Sequence, residues 1–114
     1  MGNHTTKFKN GLNTRVVRCT HCFKSVSVPS RMAIYNHLNK TEGKEATVGE
    51  IVNHVGLTQP TISYHLQEMK NTGLLKSKKV GKEVFYSVNK VCPHFGQECV
   101  LYSLKFPEVV HVRN

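Results

Sequence analysis

Apolar residues recur at helical spacing in three consecutive segments in the middle of the chain. Residues at i, i+3, i+4 and i+7 lie on one face of an α-helix, so each segment predicts a helix with one buried side. The apolar positions are Ala33, Ile34, Tyr35 and Leu38 in the first, Val48, Ile51, Val52 and Val55 in the second, and Ile62, Leu66 and Met69 in the third. Three amphipathic helices of this kind are expected to pack into one core.

Residues that begin and end helices stand at the edges of these segments. Proline is tolerated in a first turn, threonine caps a helix N-terminus, and glycine ends a helix in a left-handed conformation. The sequence places Pro29 at the start of the first helix, Thr47 and Gly56 around the second, and Thr58, Pro60 and Gly73 around the third. A tight turn with Gly56 between two helices is the layout of a helix-turn-helix.

A β-hairpin is predicted directly after the third helix. Residues 74–79 and 83–88 are strand-like, and Gly81 lies between them. The hairpin is basic, with Lys76, Lys78, Lys79 and Lys82. The fold class is therefore mainly α with a small β-hairpin, a winged helix-turn-helix with a three-helix core plus wing. A helix is also expected near residues 15–25, with a flexible tail over residues 1–12 and one domain over 13–114, whose core is 29–88.

The net charge of the chain indicates what kind of partner it binds. The 114 residues suit one domain and carry 16 Lys and Arg against 7 acids, none of them Asp. The first acid is Glu42, so every Lys, Arg, Asp or Glu side chain among the first 41 residues is a basic one. Lysine and arginine release counterions from phosphates, which points to a nucleic acid. No apolar run approaches the roughly 20 residues of a membrane helix and no secretory leader is evident, so a cytoplasmic protein that does not contact the membrane is expected.

Residues 22–88 resemble the ArsR/SmtB family of winged-helix regulators. The resemblance is carried by Thr58-Gln-Pro-Thr-Ile-Ser-Tyr-His-Leu66, Met69-Lys-Asn-Thr-Gly-Leu-Leu75 and Gly81-Lys-Glu-Val-Phe-Tyr-Ser-Val88. It implies a sequence-specific DNA-binding transcriptional regulator, a repressor, associated with the nucleoid. It also implies a homodimer on an imperfect palindrome in double-stranded DNA, with an N-terminal helix and a C-terminal helix after the wing packed across the dimer axis.

Candidate DNA contacts lie on the third helix and the hairpin. Helical geometry places Tyr64 and Gln67 opposite the buried face, and short polar side chains suit base edges and phosphates. The resemblance implies contacts by Gln59, Thr61, Ser63, Tyr64 and His65, and Tyr64 stands where relatives commonly have Arg. Lys76, Lys78, Lys79 and Lys82 are expected at phosphates or the minor groove. A solvated helix face and a charged sheet edge are the alternatives that the residues leave open.

Four cysteines flank the predicted winged helix. Cys19 and Cys22 precede it, Cys92 and Cys99 follow it, and four thiolates match a closed zinc site. In a straight helix Cys92 and Cys99 would stand about 10.5 Å apart along the axis, too far for one metal. The chain must therefore fold back between them, which Pro93 and Gly96 allow, or the two serve different sites. His21 and His94 are alternate ligands.

Three interpretations of the cysteines stay open. They hold Zn²⁺ or another thiophilic metal, they form a thiol switch, or they are partly buried thiols without a function. Residues 47–55 lack the cysteine box of the ArsR/SmtB family, and the His and Asp zinc pattern of its C-terminal helix is missing, so no metal identity transfers.

Other classes of function fit the residues less well than a regulator. An enzyme is not expected, since the chain has no Asp, no phosphate-cradling glycine loop and no acid clustered with a nucleophile. The alternative function is a nucleic-acid-binding protein that does not switch, with a structural zinc site. A winged helix that binds another protein is a third hypothesis.

Overall fold

A computed structural model describes residues 11–40, 45–93 and 96–103. In these residues the chain forms four α-helices, three antiparallel strands and one 3-10 helix. The helices are α1 (Gly11–Val26), α2 (Pro29–Lys40), α3 (Val48–Val55) and α4 (Gln59–Thr72). The strands are β1 (Ala46–Thr47), β2 (Leu75–Val80) and β3 (Glu83–Val88), and the 3-10 helix is Val100–Ser103. The predicted winged helix-turn-helix class is confirmed.

Local capping chemistry sets the ends of α3 as expected. The Thr47 hydroxyl accepts from the Glu50 backbone N–H at 3.2 Å, and the Glu50 carboxylate accepts from the Thr47 N–H at 2.8 Å. This reciprocal capping box satisfies two donors that a helix N-terminus leaves open. At the other end Gly56 has φ 86° and donates to the Val52 carbonyl at 2.8 Å. The turn between α3 and α4 is thus fixed at its first residue.

The ends of α1 and α4 differ in how well the sequence predicts them. Gly73 ends α4 with φ 98°, as expected. Helix α1 begins at Gly11 rather than near residue 15, so Gly11 and Leu12, assigned to the tail, are helical. That assignment is wrong at these two positions, because glycine has a low helix propensity and did not indicate a helical start. The rest of the predicted tail, residues 1–10, lies outside the described part of the chain.

The sheet has the order β1-β3-β2. The β2–β3 hairpin turns at Gly81 and Lys82, and Gly81 has φ 63°, which is typical of the first turn residue in a type II′ hairpin. Strand β1 was not predicted. It pairs Ala46 with Tyr86 and lies directly before the cap of α3, so it ties the helix-turn-helix to the hairpin.

The core lies where helices α2, α3 and α4 meet the sheet. Helix α4 packs against all three other helices and β2. Its predicted inward residues Ile62, Leu66 and Met69 are fully buried. The other fully buried apolar side chains of the described core include Ile34, Tyr35, Ile51, Leu74, Leu75 and Leu101. Val48 and Val52 pack only partly buried at its edge. Among the described helices none has the length and apolar character that crossing a bilayer requires.

The segment after the wing folds back on itself. Val91 and Glu98 form an antiparallel bridge, the Gly96 N–H donates to the Cys92 carbonyl, and Gly96 has φ 68°. The C-terminal helix that the resemblance implies has only the 3-10 helix in its place among the described residues, and residues 104–114 lie outside them. Of the two arrangements left open for Cys92 and Cys99, the structure has the folded-back chain.

Candidate nucleic-acid interface

One face of α4 is sealed in the core and the opposite face is open. Tyr64 is 59% exposed, and Gln59 and Gln67 are exposed beside it. Thr61 and Ser63 flank this surface and are half-buried. These side chains stand where the helical pattern places them, since burial of Ile62, Leu66 and Met69 fixes the rotation of the helix. We call the set of Gln59, Thr61, Ser63, Tyr64 and Gln67 the α4 face.

Two side-chain hydrogen bonds organise the α4 face. The Thr58 hydroxyl donates to the Thr61 hydroxyl at 3.0 Å instead of capping the helix. The Gln67 amide donates to the Asn71 side-chain oxygen at 3.1 Å, one turn further along. Both bonds hold polar groups on the exposed surface in fixed positions. The predicted cap residue Thr58 therefore stands at the N-terminus of the helix but makes no side-chain cap bond.

His65 has a different environment from its neighbours on the α4 face. It is only 8% exposed, and its Nδ1 accepts a hydrogen bond of 3.0 Å from Nε of Arg31 on α2. Burial lowers the pKa of His65 below its ordinary value of 6.5, and the Arg31 charge lowers it further. The imidazole is therefore held neutral, as an acceptor at Nδ1 must be. The structure places His65 behind the exposed surface rather than on it.

Arg31 is a site residue that sequence reasoning missed. Its guanidinium lies 5.8 Å from the centre of the Tyr64 ring, within the range of a cation–π contact. One nitrogen is bound to His65, and the side chain is half-buried at the start of α2. Arg31 thus brings a positive charge to the edge of the α4 face. Because 34 residues separate it from His65, no local pattern could have indicated the contact.

The four hairpin lysines are all exposed or half-exposed, but they point to different faces of the sheet. Leu75, Tyr86 and Val88 mark the inner face, and alternation puts Lys79 on that face beyond the core. Lys76 and Lys78 point to the outer face, and Lys82 lies in the turn.

Lys78 also has a partner outside the hairpin. Its Nζ is 3.2 Å from Oε2 of Glu45, just before β1. Both side chains are partly solvent-exposed, so this ion pair is weak. It nevertheless directs the Lys78 charge toward the body of the domain.

The cysteines do not gather into one group. Cys19 is exposed, and the half-buried Cys22 donates its thiol hydrogen to the Thr72 carbonyl, with the sulfur 3.5 Å from the oxygen. Cys92 and Cys99 are half-buried, and His21 is exposed. Within the described ranges, no three His, Cys or acidic side chains are placed to hold a metal, and His94 lies outside those ranges.

Two of the thiols pack against the core that holds a buried phenol. Tyr35 is fully buried, and burial raises its pKa far above the ordinary value. The charges that Cys99, Cys22 and Tyr102 would carry raise that pKa further. Cys22 from α1 and Cys99 from the segment after the wing both pack against the core cluster that contains Tyr35. Residues from both flanks of the winged helix thus pack against one core.

A helix-turn-helix with an open polar helix face and a basic hairpin defines a winged helix-turn-helix DNA-binding protein. The sequence model of the bacterial regulatory proteins of the arsR family matches residues 29–77. The chain is 33% identical over 67 residues to the transcriptional repressor SdpR of Bacillus subtilis, an alignment that covers 59% of this chain and 71% of SdpR. The chain belongs to the arsR family. It is a DNA-binding transcriptional regulator and not an enzyme.

Two further likenesses extend this result. A probable mercury resistance operon repressor of Streptomyces lividans is 31% identical over 83 residues, covering 68% of this chain and 64% of the repressor. The homodimeric winged helix-turn-helix domain of a possible ArsR-family regulator from Mycobacterium bovis superposes with a TM-score of 0.62. That match has 22% identity and covers 69% of this chain and 70% of the other chain, so it supports the fold and nothing further.

Proposed function

We propose that two copies of this chain bind an imperfect palindrome in duplex DNA, each with its α4 face in the major groove. The observation that carries the proposal is the open α4 face, polar and fixed in rotation by the buried side of the helix. In a dimeric helix-turn-helix protein, two such helices enter half-sites about 34 Å apart. The homodimeric relative of the same fold supports a dimer. DNA binding of this kind would associate the protein with the nucleoid.

Within this proposal the residues of α4 divide into those that read the DNA and one that positions them. Gln59 is exposed at the leading end of the helix, and glutamine can pair with adenine through two hydrogen bonds. Thr61 and Ser63 supply hydroxyls for base edges or phosphate, and Tyr64 supplies an aromatic surface for thymine methyl groups. His65 acts as a positioning residue, because it is buried and holds Arg31 against Tyr64.

The hairpin contributes charge rather than sequence information. Lys79 on the inner face and Lys82 in the turn would contact phosphates at the adjacent minor groove. Lys78 exchanges its Glu45 partner for a phosphate at little cost, because exposed ion pairs contribute little. Lys76 stands at the base of the hairpin, farthest from the turn, and its contribution is the smallest of the four.

The regulator responds to a thiophilic metal or another thiol-reactive effector at its cysteines, of which Cys22 contacts α4. The relative named for mercury resistance supports this effector class. Either effector removes the hydrogen from a thiol, and Cys22 uses that hydrogen to bind the last turn of α4. A four-thiolate zinc site including Cys19 and Cys92 has no support within the described residues. For that reason no step is assigned to Zn²⁺.

The alternative function, a nucleic-acid binder that does not switch, is less well supported. SdpR is named a transcriptional repressor, and the Streptomyces lividans relative is named a probable repressor of an operon. A structural zinc site would need three or four ligands together, and the described residues bring no such group together. A regulated repressor is thus the better account of the same residues.

The proposal is tested by fluorescence anisotropy with a duplex taken from upstream of the protein's own gene, with and without Hg²⁺. Native protein should bind this duplex more tightly than a scrambled one and should release it when the metal is added. Cys22→Ser should bind the duplex and resist release, while Cys19→Ser serves as the exposed-thiol control. Equal affinity for both duplexes would refute operator reading. Full release of Cys22→Ser by the metal would refute the effector assignment alone.

Metal analysis and free-thiol counting distinguish the two effector chemistries. Protein purified without chelator is measured for bound metal and for reactive thiols before and after treatment with an oxidant. Bound metal with masked thiols indicates a metal effector. Four reactive thiols that decrease on oxidation, together with loss of DNA binding, indicate a thiol switch. Four thiols that stay reactive while DNA binding is unchanged would contradict both.

A further inference from the structure

We propose that a cavity at the base of the hairpin binds a small organic anion, a short-chain carboxylate. The cavity has a volume of about 350 Å³ and lies between the end of α2, the base of the β2–β3 hairpin and the segment after β3. Its wall includes Leu38, Lys76, Val88, Lys90 and Val91. Among the described residues, neither the α4 face nor a cysteine side chain lines it.

The charge of the cavity favours an anion. Lys76 and Lys90 both line it, and among the described residues of its wall the one acid is Glu45. The Glu45 carboxylate is already engaged by Lys78 at 3.2 Å. No carboxylate of the described residues forms an ion pair with Lys76 or Lys90, and the Lys90 ammonium lies instead 5.7 Å from the Tyr102 ring centre. Two ammonium groups beside one neutralised acid leave the cavity positive.

The apolar part of the wall favours an organic ligand over an inorganic ion. Leu38 and Val88 are buried core residues, and Val91 brings a further aliphatic surface to the cavity. Ligand sites usually combine such surface with a few polar groups and span about 300–1,000 Å³. At the lower end of that range, the space admits a small branched carboxylate.

Hydrogen bonds connect the cavity to the hairpin. Asn89 lines it and donates from Nδ2 to the carbonyls of Gly73 at 2.9 Å and Leu75 at 3.3 Å, where α4 passes into β2. Asn39 near the end of α2 also lines the cavity and donates to the Tyr102 carbonyl at 3.2 Å. An anion held between Lys76 and Lys90 would therefore join β2 to the segment that anchors the hairpin. Only this consequence for DNA affinity rests on the proposed function, while the binding itself does not.

The test is a ¹H–¹⁵N NMR titration of the full chain with isovalerate, in parallel with uncharged isovaleramide and with inorganic phosphate. The expected result is saturable shifts for Ser87, Val88 and Val91 with isovalerate and much weaker ones with the other two. Lys76→Gln and Lys90→Gln should each weaken isovalerate binding by about tenfold, since a hydrogen bond to a charged group is lost. Lys24→Gln, which removes an exposed charge on α1, should bind like the native chain.

Several outcomes would overturn the proposal. Absence of saturable shifts, equal binding of isovaleramide, or equal binding of phosphate would each contradict a site for an organic anion. Unchanged isovalerate binding in both lysine variants would do the same, and the dispersion of their spectra reports whether they are folded. Isovalerate binding in a chain that fails to bind DNA would leave the cavity proposal standing and remove the proposed function.

Discussion

The hydrogen bond of 3.0 Å from Arg31 Nε to His65 Nδ1 joins the start of α2 to the middle of α4. It fixes the tautomer of a buried imidazole, because Nδ1 must carry the lone pair. It also holds the guanidinium 5.8 Å from the ring centre of the exposed Tyr64. Arg31 thus makes both the buried contact with His65 and the surface contact with Tyr64. A substitution that disturbs either contact should therefore change DNA binding.

We predict that Arg31→Ala weakens both folding and DNA binding. Loss of the donor leaves His65 Nδ1 without its partner, which costs about 1–3 kcal/mol of unfolding free energy. Loss of the charge should weaken binding to all duplexes and reduce the salt dependence by about one phosphate contact. Urea unfolding measures the first effect, and anisotropy at several salt concentrations measures the second. A variant with native stability and native affinity would show that the contact has no role.

A second prediction concerns pH and two histidines. Burial lowers the pKa of His37 below 6.5, and the charges of His54 and Lys40 lower it further, while Glu50 opposes them. The His37 and His54 rings stack with centroids 3.8 Å apart, joining α2 to α3. The pKa of His65 is likewise lowered, by burial and by Arg31. For both groups the unfolded chain binds protons at higher pH than the folded chain does.

Stability should therefore be constant above the ordinary histidine pKa and fall as the pH drops from 6.5 toward the lowered values. Urea unfolding at about pH 7.5 and about pH 5.5 measures the difference. His54→Gln should raise the pKa of His37, followed by NMR of the imidazole protons, and should reduce the pH dependence. A native His37 that titrates at or above 6.5 would contradict the structure.

Two glycines at the ends of α3 make a matched pair. Gly56 has φ 86°, and the space that a Cβ methyl group would occupy is open, so Gly56→Ala should cost about 1–2 kcal/mol through backbone conformation alone. Gly49 is helical, and a methyl group there meets only the Thr47 hydroxyl at 4.0 Å. Gly49→Ala should stabilise the chain by up to about 1 kcal/mol. Thermal unfolding of both variants checks the signs, and effects of equal sign would refute the assigned turn.

The hairpin lysines should be unequal in DNA binding. Lys79→Ala should weaken binding to every duplex and lower the salt slope by about one, as expected for a phosphate contact. Glu45→Gln should leave binding unchanged or strengthen it slightly, because it releases Lys78 from its ion pair. Anisotropy titrations in increasing KCl measure both. If Lys79→Ala kept the native salt slope, the assignment of the inner face to DNA would be wrong.

Much of this fold follows from local chemistry, and the rest depends on contacts between distant residues. Pro29, Thr47, Gly56 and Gly73 mark helix ends because caps and left-handed turns involve only neighbouring residues. Strand β1 escaped prediction because two residues, Ala46 and Thr47, carry no alternating pattern and acquire their pairing from β3.

The same distinction applies to the site. Helical periodicity indicates the α4 face, since the buried positions decide which side chains remain outside. It does not show that His65 turns toward Arg31, nor that Cys22 and Cys99 pack against the same core, because those contacts span tens of residues. Strand alternation assigns Lys79 to the inner face of the sheet, and Lys76 and Lys78 to the outer face, only once the register of the hairpin is known.

The most direct test of the central claim is the ratio of affinities for the native upstream duplex and a scrambled duplex, measured by anisotropy at one fixed salt concentration. The account predicts that Gln59→Ala and Tyr64→Ala each lower this ratio by about tenfold, since one base contact is worth about 1–3 kcal/mol. Affinity for the scrambled duplex should hardly change, and Lys24→Ala should behave as native. A ratio unaffected by both α4 variants would contradict the claim that this helix reads the DNA sequence.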